Sequence, residues 1–154
     1  MNIQWKKLIP QLLLPLGVGA LSAFLTRGSM DIYSQITEPP LAPPAAIFPI
    51  VWTILYLLMG ISAYLIMTSG NENTESAMFI YWLQLAVNFI WSPIFFNAQM
   101  FRVAFVVLII LCILVFTMIK RFLPINKTAA YLQIPYLIWL TFAGYLNLMI
   151  ALLN

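Results

Sequence analysis

The sequence predicts an all-α integral membrane protein, a bundle of five transmembrane helices. Of the 154 residues, 64% are hydrophobic and 7% are charged, and the mean hydropathy is +0.99. Soluble domains contain about a quarter charged residues. At about 20 residues per span, five helices with short connections use the whole chain in a single domain, residues 1–154. The predicted helices are residues 8–25, 45–67, 78–96, 103–119 and 128–152.

The first predicted helix, residues 8–25, follows a short polar start that contains Lys6 and Lys7. A basic start before an apolar run resembles a signal peptide, but this run is longer than the usual core of about 7–15 residues. We therefore predict a retained helix, with a signal peptide as the alternative. Gly19 and Ala23 form a small-xxx-small pair, which indicates a close helix contact, either at a dimer seam or within the chain.

Residues 27–44 form the longest predicted loop, which contains the segment Pro39-Pro40-Leu-Ala-Pro43-Pro44. Proline fixes φ and lacks an N–H donor, so this segment disfavours helix. A loop of this length in a small bundle is typically a lid or a binding loop. The alternative is a stiff spacer that starts the next helix, because proline suits the first turn of a helix.

Polar side chains occur inside the third predicted helix, although its length and apolar character suit a membrane span. Helical spacing puts one stripe of side chains on the same face: Gln84, Asn88, Trp91 and Phe95. An amide without a partner in hydrocarbon costs several kcal/mol, so this stripe is predicted to face other helices or a ligand. Pro93 is predicted to bend the last turns.

The neighbouring helices differ in character. The second carries an aromatic stripe of Phe48, Trp52 and Tyr56, with Pro49 in its first turns. The fourth, residues 103–119, is nearly uniform and is predicted to be a lipid-facing wall. The fifth carries many polar and aromatic side chains: Tyr131, Gln133, Pro135, Tyr136, Trp139, Ala143 and Asn147.

Alternating helix directions bring Trp52, Asn88, Trp91 and Trp139 to a similar depth beneath the proline-rich loop. The sequence therefore predicts an aromatic-walled cavity with a few polar groups and a cover, which is the usual construction of a small-molecule site. The alternative is packing without a ligand, because tryptophan and tyrosine also form belts at membrane interfaces. Trp5 and Trp82, near helix starts, are predicted to belong to such a belt.

Charge distribution predicts the orientation and excludes several kinds of chemistry. Five bases lie on the N-terminal side and two on the other, so the positive-inside rule puts the N-terminus in the cytoplasm. No Asp, Glu, Lys, Arg or His lies well inside a predicted span, which argues against an ion-driven transporter. Histidine is absent and Cys112 is the only cysteine, so hydrolytic and metal catalysis are not supported. Nothing points to nucleic acid as a partner.

Three motifs, in order along nearly the whole chain, resemble the TspO/MBR family of tryptophan-rich sensory proteins and translocator proteins (peripheral benzodiazepine receptors). The first joins the proline-rich segment to Phe48-Pro49-Ile-Val-Trp52. The second is Ala86-Val-Asn88-Phe-Ile-Trp91-Ser-Pro93-Ile-Phe-Phe96, and the third is Pro135-Tyr136-Leu-Ile-Trp139-Leu-Thr-Phe-Ala143-Gly-Tyr145-Leu-Asn147. The chain looks like a bacterial member, located in the cell membrane.

The resemblance implies a five-helix bundle, commonly a homodimer, that binds porphyrins and isoquinoline carboxamides and, in animals, cholesterol. It implies a pocket of Tyr33, Trp52, Asn88, Trp91, Trp139, Ala143 and Leu146. Trp52 and Asn88 would donate hydrogen bonds to a ligand carbonyl. Some bacterial members are thought to degrade protoporphyrin IX in light, with tryptophans at the positions of Trp52 and Trp139 taking part. No basic residue follows Tyr145, so the animal cholesterol motif is incomplete.

The leading hypothesis is a membrane receptor for porphyrin-like tetrapyrroles, with light-dependent breakdown of the bound pigment as a further activity. Porphyrin would then be ligand or substrate, and no resident cofactor is expected. A second hypothesis is a passive transporter or exchanger of porphyrin or another hydrophobic metabolite. A third is a regulatory protein whose partner responds to the ligand-bound state.

Overall fold

A computed structural model, which describes residues 2–154, shows a helical bundle. Five helical segments of this described part are long and apolar enough to cross a bilayer, which confirms the predicted fold class. The helices are α1 (Trp5–Thr26), α2 (Ile32–Gln35), α3 (Ile47–Met67), α4 (Thr74–Ser92), α5 (Phe101–Phe122), α6 (Lys127–Tyr131) and α7 (Ile134–Leu153). A 3₁₀ turn follows α1 at Arg27–Ser29, and a π-helical turn continues α4 at Pro93–Asn97.

Two predicted segments are corrected by the structure. The loop 27–44 is partly helical, because the 3₁₀ turn and α2 both precede its prolines. The predicted helix 128–152 is interrupted between α6 and α7, and Pro135 lies in the first turn of α7. Proline is tolerated there because the first N–H groups of a helix have no partner within it.

The long helices run alternately up and down. Hydrogen bonds tie both ends of the bundle: on the N-terminal side the Gln4 N–H donates to the Tyr64 hydroxyl at 2.9 Å, and on the opposite side the Asn97 amide donates to the Leu25 carbonyl at 3.2 Å. We call the side that carries residues 27–46 the loop side. Around the bundle α3 packs on α1, α1 on α4, α4 on α5, and α5 on α7.

The packing of α5 corrects the prediction of a purely lipid-facing wall. One face is buried between α4 and α7, and its residues are Ala104, Leu108, Leu111, Val115, Met118, Ile119 and Phe122. The opposite face, with Ile109 and Ile113, is exposed. Composition could not separate the two faces, because the same aliphatic side chains suit lipid and protein interior alike.

Close contacts at two glycines set the crossing of α1 and α3. A Cβ at Gly60 would lie 2.5 Å from the Gln11 carbonyl oxygen, so the two backbones touch there. A Cβ at Gly19 would lie 2.4 Å from the Tyr56 ring. The predicted contact at Gly19 is therefore made within the chain, whereas Ala23 is exposed.

Candidate functional site

The bundle is sparsely packed between α3 and α7, and a groove of about 480 Å³ lies along this seam. Its lining is apolar: Val51, Ile54, Leu55, Leu58, Pro135, Ile138, Trp139 and Phe142. Towards the N-terminal side the seam is closed by α6, where the Ser62 hydroxyl donates to the Ala129 carbonyl at 2.7 Å. The groove is within the roughly 300–1,000 Å³ typical of small-molecule sites.

A continuous row of aromatic rings joins the covering segment to this groove. The Tyr33 ring lies edge-on to Phe48 with centroids 5.7 Å apart, and Phe48 lies edge-on to Trp139 at 5.9 Å. Such edge-to-face pairs stabilise by about 0.5–1.5 kcal/mol beyond the burial of their area. Burial and the nearby Glu38 carboxylate raise the pKa of Tyr33, so its hydroxyl remains a neutral donor at physiological pH.

Hydrogen bonds fasten the covering segment to the end of α7. The Tyr145 hydroxyl donates to the Pro40 carbonyl at 3.0 Å. The Thr37 N–H donates to the Asn154 side-chain oxygen at 3.0 Å, and the Asn154 amide donates back to the Thr37 carbonyl at 3.4 Å. Residues 32–44 therefore lie over the loop-side end of the bundle as a cover that is attached to α7.

Trp139 is the polar exception in the apolar groove. Its indole N–H is buried and has no hydrogen-bond partner among the described residues 2–154. A buried donor without an acceptor costs about 1–3 kcal/mol, and a ligand oxygen that accepted from it would remove that cost. Trp139 therefore lines the groove and carries one unused donor, which is buried within the bundle.

Behind the groove, the Asn88 amide lies in a buried chain of hydrogen bonds. The Tyr56 hydroxyl donates to the Asn88 side-chain oxygen at 2.8 Å, and the Asn88 amide donates to the Tyr136 hydroxyl at 2.8 Å. Tyr136 in turn donates to the Gln84 side-chain oxygen at 2.9 Å. The Asn88 side chain thus already has one protein partner on each of its polar atoms. Only its second amide hydrogen remains free to donate to a ligand.

Trp52 packs on this chain of hydrogen bonds. Its ring lies 5.6 Å from the Tyr56 ring and 6.2 Å from the Tyr136 ring, centroid to centroid. Trp52 is half-buried and lies on α3 one turn closer to the loop side than Tyr56. Its indole could therefore meet a ligand on one face while the other side rests on tyrosines.

Trp91 is held in a different part of the interior. Its indole N–H donates to the Asn147 side-chain oxygen at 3.1 Å, and its ring stacks on Phe95 with centroids 4.9 Å apart. The Asn147 amide donates to the Phe101 carbonyl at 2.9 Å. Since its donor is already used, Trp91 can offer a ligand a ring surface rather than a hydrogen bond.

Several fully buried polar atoms lie below the Asn88 network. The Gln133 side chain has no partner at either polar atom within residues 2–154, and the Gln84 amide nitrogen and the Tyr81 hydroxyl also have none. Gln133 lies one turn before Tyr136 on the chain, and Tyr81 lies one turn before Gln84. A buried polar group without a partner costs about 1–3 kcal/mol.

Of the predicted site residues, Trp139 lines the groove, whereas Tyr33, Trp52, Asn88, Trp91, Ala143 and Leu146 do not. Trp52, Trp91, Trp139 and Ala143 all pack, half-buried, against the main core, and Leu146 is buried. Tyr33 reaches Trp139 through Phe48. The sequence analysis did not assign site roles to Phe48, Tyr56 or Tyr136. For Phe48 and Tyr56, the aromatic stripe Phe48, Trp52 and Tyr56 was a sequence signal that could have indicated a site role.

The fold and the groove define a helical membrane protein with five segments that can span a bilayer and an apolar groove whose wall includes Trp139. The model of the TspO/MBR family matches residues 11–153, so the chain belongs to the TspO/MBR family.

Curated relatives come from distant organisms. The chain is 36% identical over 149 residues to the tryptophan-rich protein TspO of Archaeoglobus fulgidus, covering 96% of this chain and 97% of that protein. It is 32% identical over 154 residues to the tryptophan-rich sensory protein of Cereibacter sphaeroides, covering 100% and 95%. It is 33% identical over 147 residues to the translocator protein of Bos taurus, covering 93% and 87%.

Proposed function

We propose that this protein is a membrane receptor for porphyrin-like tetrapyrroles, which also accepts flat drug-like ligands of the isoquinoline-carboxamide kind. The observation that carries the proposal is the apolar groove lined by Trp139, whose buried indole N–H is unused. A ligand with a wide apolar face and one acceptor oxygen matches that groove chemically. No resident cofactor is proposed, because the tetrapyrrole is the ligand or the substrate.

The proposed contacts divide the site residues by chemistry. Trp139 would contact the ligand rings at the groove wall. Trp52, Trp91, Ala143 and Leu146, which do not line the groove, would contact a ligand that reached further between the helices. Trp139, Trp52 and the second amide hydrogen of Asn88 would donate to ligand oxygens, and Tyr33 would close the site from the covering segment. Aromatic surfaces bind flat rings well because offset and edge-to-face arrangements stabilise them.

Light-dependent breakdown of the bound pigment is proposed as a further activity. Indole is the most easily oxidised of the ordinary aromatic side chains. An excited tetrapyrrole held against Trp52 or Trp139 would accept one electron, which gives a pigment radical anion and an indole radical cation. This transfer breaks no bond, and opening of the macrocycle would consume dissolved dioxygen as the oxidant. Geometry supports Trp52 as well as Trp139, because Trp52 is half-buried and rests on the Tyr56 and Tyr136 rings.

The proposed setting is the cell membrane of a bacterium, with the N-terminus in the cytoplasm and the protein as a homodimer. Support for the orientation comes from the five bases on the N-terminal side against two on the loop side.

The experiment is a titration of the detergent-solubilised protein with protoporphyrin IX, followed by an illumination time course. Trp52→Phe is expected to keep most of the affinity, because it keeps an apolar ring, and to slow the loss of pigment under light. Trp82→Phe is the matched control, since Trp82 is an exposed tryptophan at the other end of the bundle. Absence of saturable binding would refute the receptor, and unchanged photodegradation in Trp52→Phe would remove that residue from the photochemistry.

Passive exchange of the same ligands is the second candidate, favoured by one observation. The groove wall includes Ile54 and Ile138, which are exposed on the outside of the bundle, where the bilayer lies. A ligand could therefore enter and leave through lipid. Flux of labelled porphyrin into sealed vesicles, with and without the protein, separates an exchanger from a receptor.

A further inference from the structure

A second recess, of about 460 Å³, lies at the N-terminal side between the start of α4 and the end of α5. Its lining mixes cations, hydroxyls and apolar groups: Asn73, Ser76, Ala77, Phe116, Thr117, Lys120, Arg121 and Pro124. None of these residues lines the groove between α3 and α7. The recess is therefore separate from the site proposed above.

Two cations line this recess, and neutral groups hold them in place. The Arg121 guanidinium donates to the Ser76 hydroxyl, and Lys120 Nζ lies 5.6 Å from the centre of the Phe116 ring. A guanidinium has five N–H donors, so Arg121 keeps most of them for another acceptor. Contacts to a hydroxyl and a ring leave both positive charges available for an anion.

Carboxylates do not line the recess, although two lie nearby in sequence. Glu72 and Glu75 flank the start of α4 and are exposed, but neither contributes to the lining. The lining therefore carries two positive charges and no negative one. An anion that entered it would meet a positive surface from the α5 side and neutral polar groups from the α4 side.

The recess also lies at a depth that suits a lipid. Lys120 and Arg121 are in the last turn of α5, a membrane-spanning helix, which puts their charges at the level of the headgroups. One turn further into the membrane, the Phe116 ring is exposed and apolar. A ligand that combines a phosphate with a hydrocarbon chain matches this order of groups.

We propose that this recess is a binding site for an anionic membrane phospholipid. The lipid phosphate accepts hydrogen bonds from Lys120 and Arg121, and an acyl chain lies along Phe116. Ser76 orients the guanidinium towards the phosphate. The site faces the bilayer from outside the bundle, so it needs no opening of the helices.

The test is binding of phosphatidylglycerol to the full-length protein in a neutral detergent, measured by native mass spectrometry. The double variant Lys120→Gln/Arg121→Gln is expected to bind roughly thirtyfold more weakly, which corresponds to about 2 kcal/mol, because it removes both cationic donors to the phosphate. Lys6→Gln/Lys7→Gln is the matched control. It removes the same charge from the same side, outside the recess, and is expected to change the affinity less than about threefold.

Two further comparisons identify the ligand chemistry. Phosphatidylcholine, which is zwitterionic, is expected to bind more weakly than phosphatidylglycerol. Glycerol phosphate, which has the phosphate and no acyl chain, is expected not to displace the lipid. Displacement by glycerol phosphate alone would mean that the site takes a soluble phosphate, and the lipid proposal would be overturned.

A second variant, which changes no charge, keeps the proposal testable if the double variant misfolds. Ser76→Tyr fills the recess from α4 and leaves both cations in place, and it is expected to abolish selective phosphatidylglycerol binding. Lipid affinity that stayed at the wild-type value in Ser76→Tyr would overturn the proposal. An equal loss in the Lys6/Lys7 and Lys120/Arg121 variants would also overturn it, because the attraction would then be diffuse.

Discussion

Asn88 and Tyr136 are joined by a 2.8 Å hydrogen bond in which the carboxamide of α4 donates to the hydroxyl of α7. The bond crosses the bundle interior between α4 and α7, whose backbones lie farther apart than those of α4 and α5. The amide that the sequence singles out therefore has a structural partner as well as a proposed ligand role. These two roles can be separated by measurement.

Asn88→Leu is expected to lower the free energy of unfolding by about 1–3 kcal/mol, because the buried hydroxyls of Tyr56 and Tyr136 each lose their Asn88 partner. Thermal unfolding in detergent measures this loss. If the second amide hydrogen also binds a ligand carbonyl, affinity for an isoquinoline carboxamide falls by roughly 1–3 kcal/mol as well. Tyr136→Phe is the control, since it breaks the same bond and leaves the amide. Stability unchanged in both variants would contradict the network.

Replacing Gln133 or Gln84 by leucine is expected to have opposite effects. The Gln133 amide has no partner among the described residues, so Gln133→Leu removes an unpaired buried group and raises the thermal midpoint. Gln84→Leu removes the acceptor of the Tyr136 hydroxyl and lowers the midpoint. Thermal unfolding of the two variants side by side measures the difference. A lower midpoint for Gln133→Leu would contradict this prediction.

Gly60→Ala is expected to destabilise the bundle by about 1–3 kcal/mol, because the new Cβ would overlap the Gln11 backbone of α1. Gly17→Ala is the matched control on α1, where a Cβ meets nothing within 4 Å. Alanine there favours the helix by about 0.5–1 kcal/mol. Thermal midpoints of both variants measure the difference, and equal effects would mean that α1 and α3 do not touch at Gly60.

The covering segment is expected to loosen when its attachment to α7 is removed. Tyr145→Phe deletes the hydrogen bond to the Pro40 carbonyl and keeps the ring, so amide exchange in residues 32–44 should accelerate by roughly two- to tenfold. Hydrogen exchange measured by mass spectrometry follows this segment directly. Tyr131→Phe, at an exposed tyrosine of α6, should leave exchange there unchanged. Equal protection in Tyr145→Phe and wild type would mean that the tyrosine does not hold the cover.

The inward direction of the Gln84–Phe95 stripe could be predicted from the sequence, because amides are costly in lipid. Gln84, Asn88 and Phe95 are indeed buried. The partners of Asn88 could not be predicted, since the choice of Tyr56 and Tyr136 depends on how α3 and α7 cross α4. Local spacing carries no information about that crossing.

The lining of the groove could not be predicted from the sequence, for a related reason. Its walls are ordinary apolar residues such as Val51 and Leu58, which read the same whether they face lipid, protein or a ligand. Gly60 gave no signal either, because a close backbone contact is visible only once Gln11 is placed beside it. Pro135 did mark the start of α7, yet helix periodicity on both sides of it favoured one continuous span.

The most direct test of the account fills the groove between α3 and α7. Ile138 lines the groove and Ile113 lies on the exposed face of α5, so tryptophan at either position adds the same bulk in different places. Protoporphyrin IX binding is measured through the absorbance of the pigment. Ile138→Trp is expected to weaken binding by about tenfold or more, which corresponds to about 1.4 kcal/mol, while Ile113→Trp leaves it unchanged. Wild-type affinity in Ile138→Trp would contradict the proposal that the ligand lies against Trp139 in this groove.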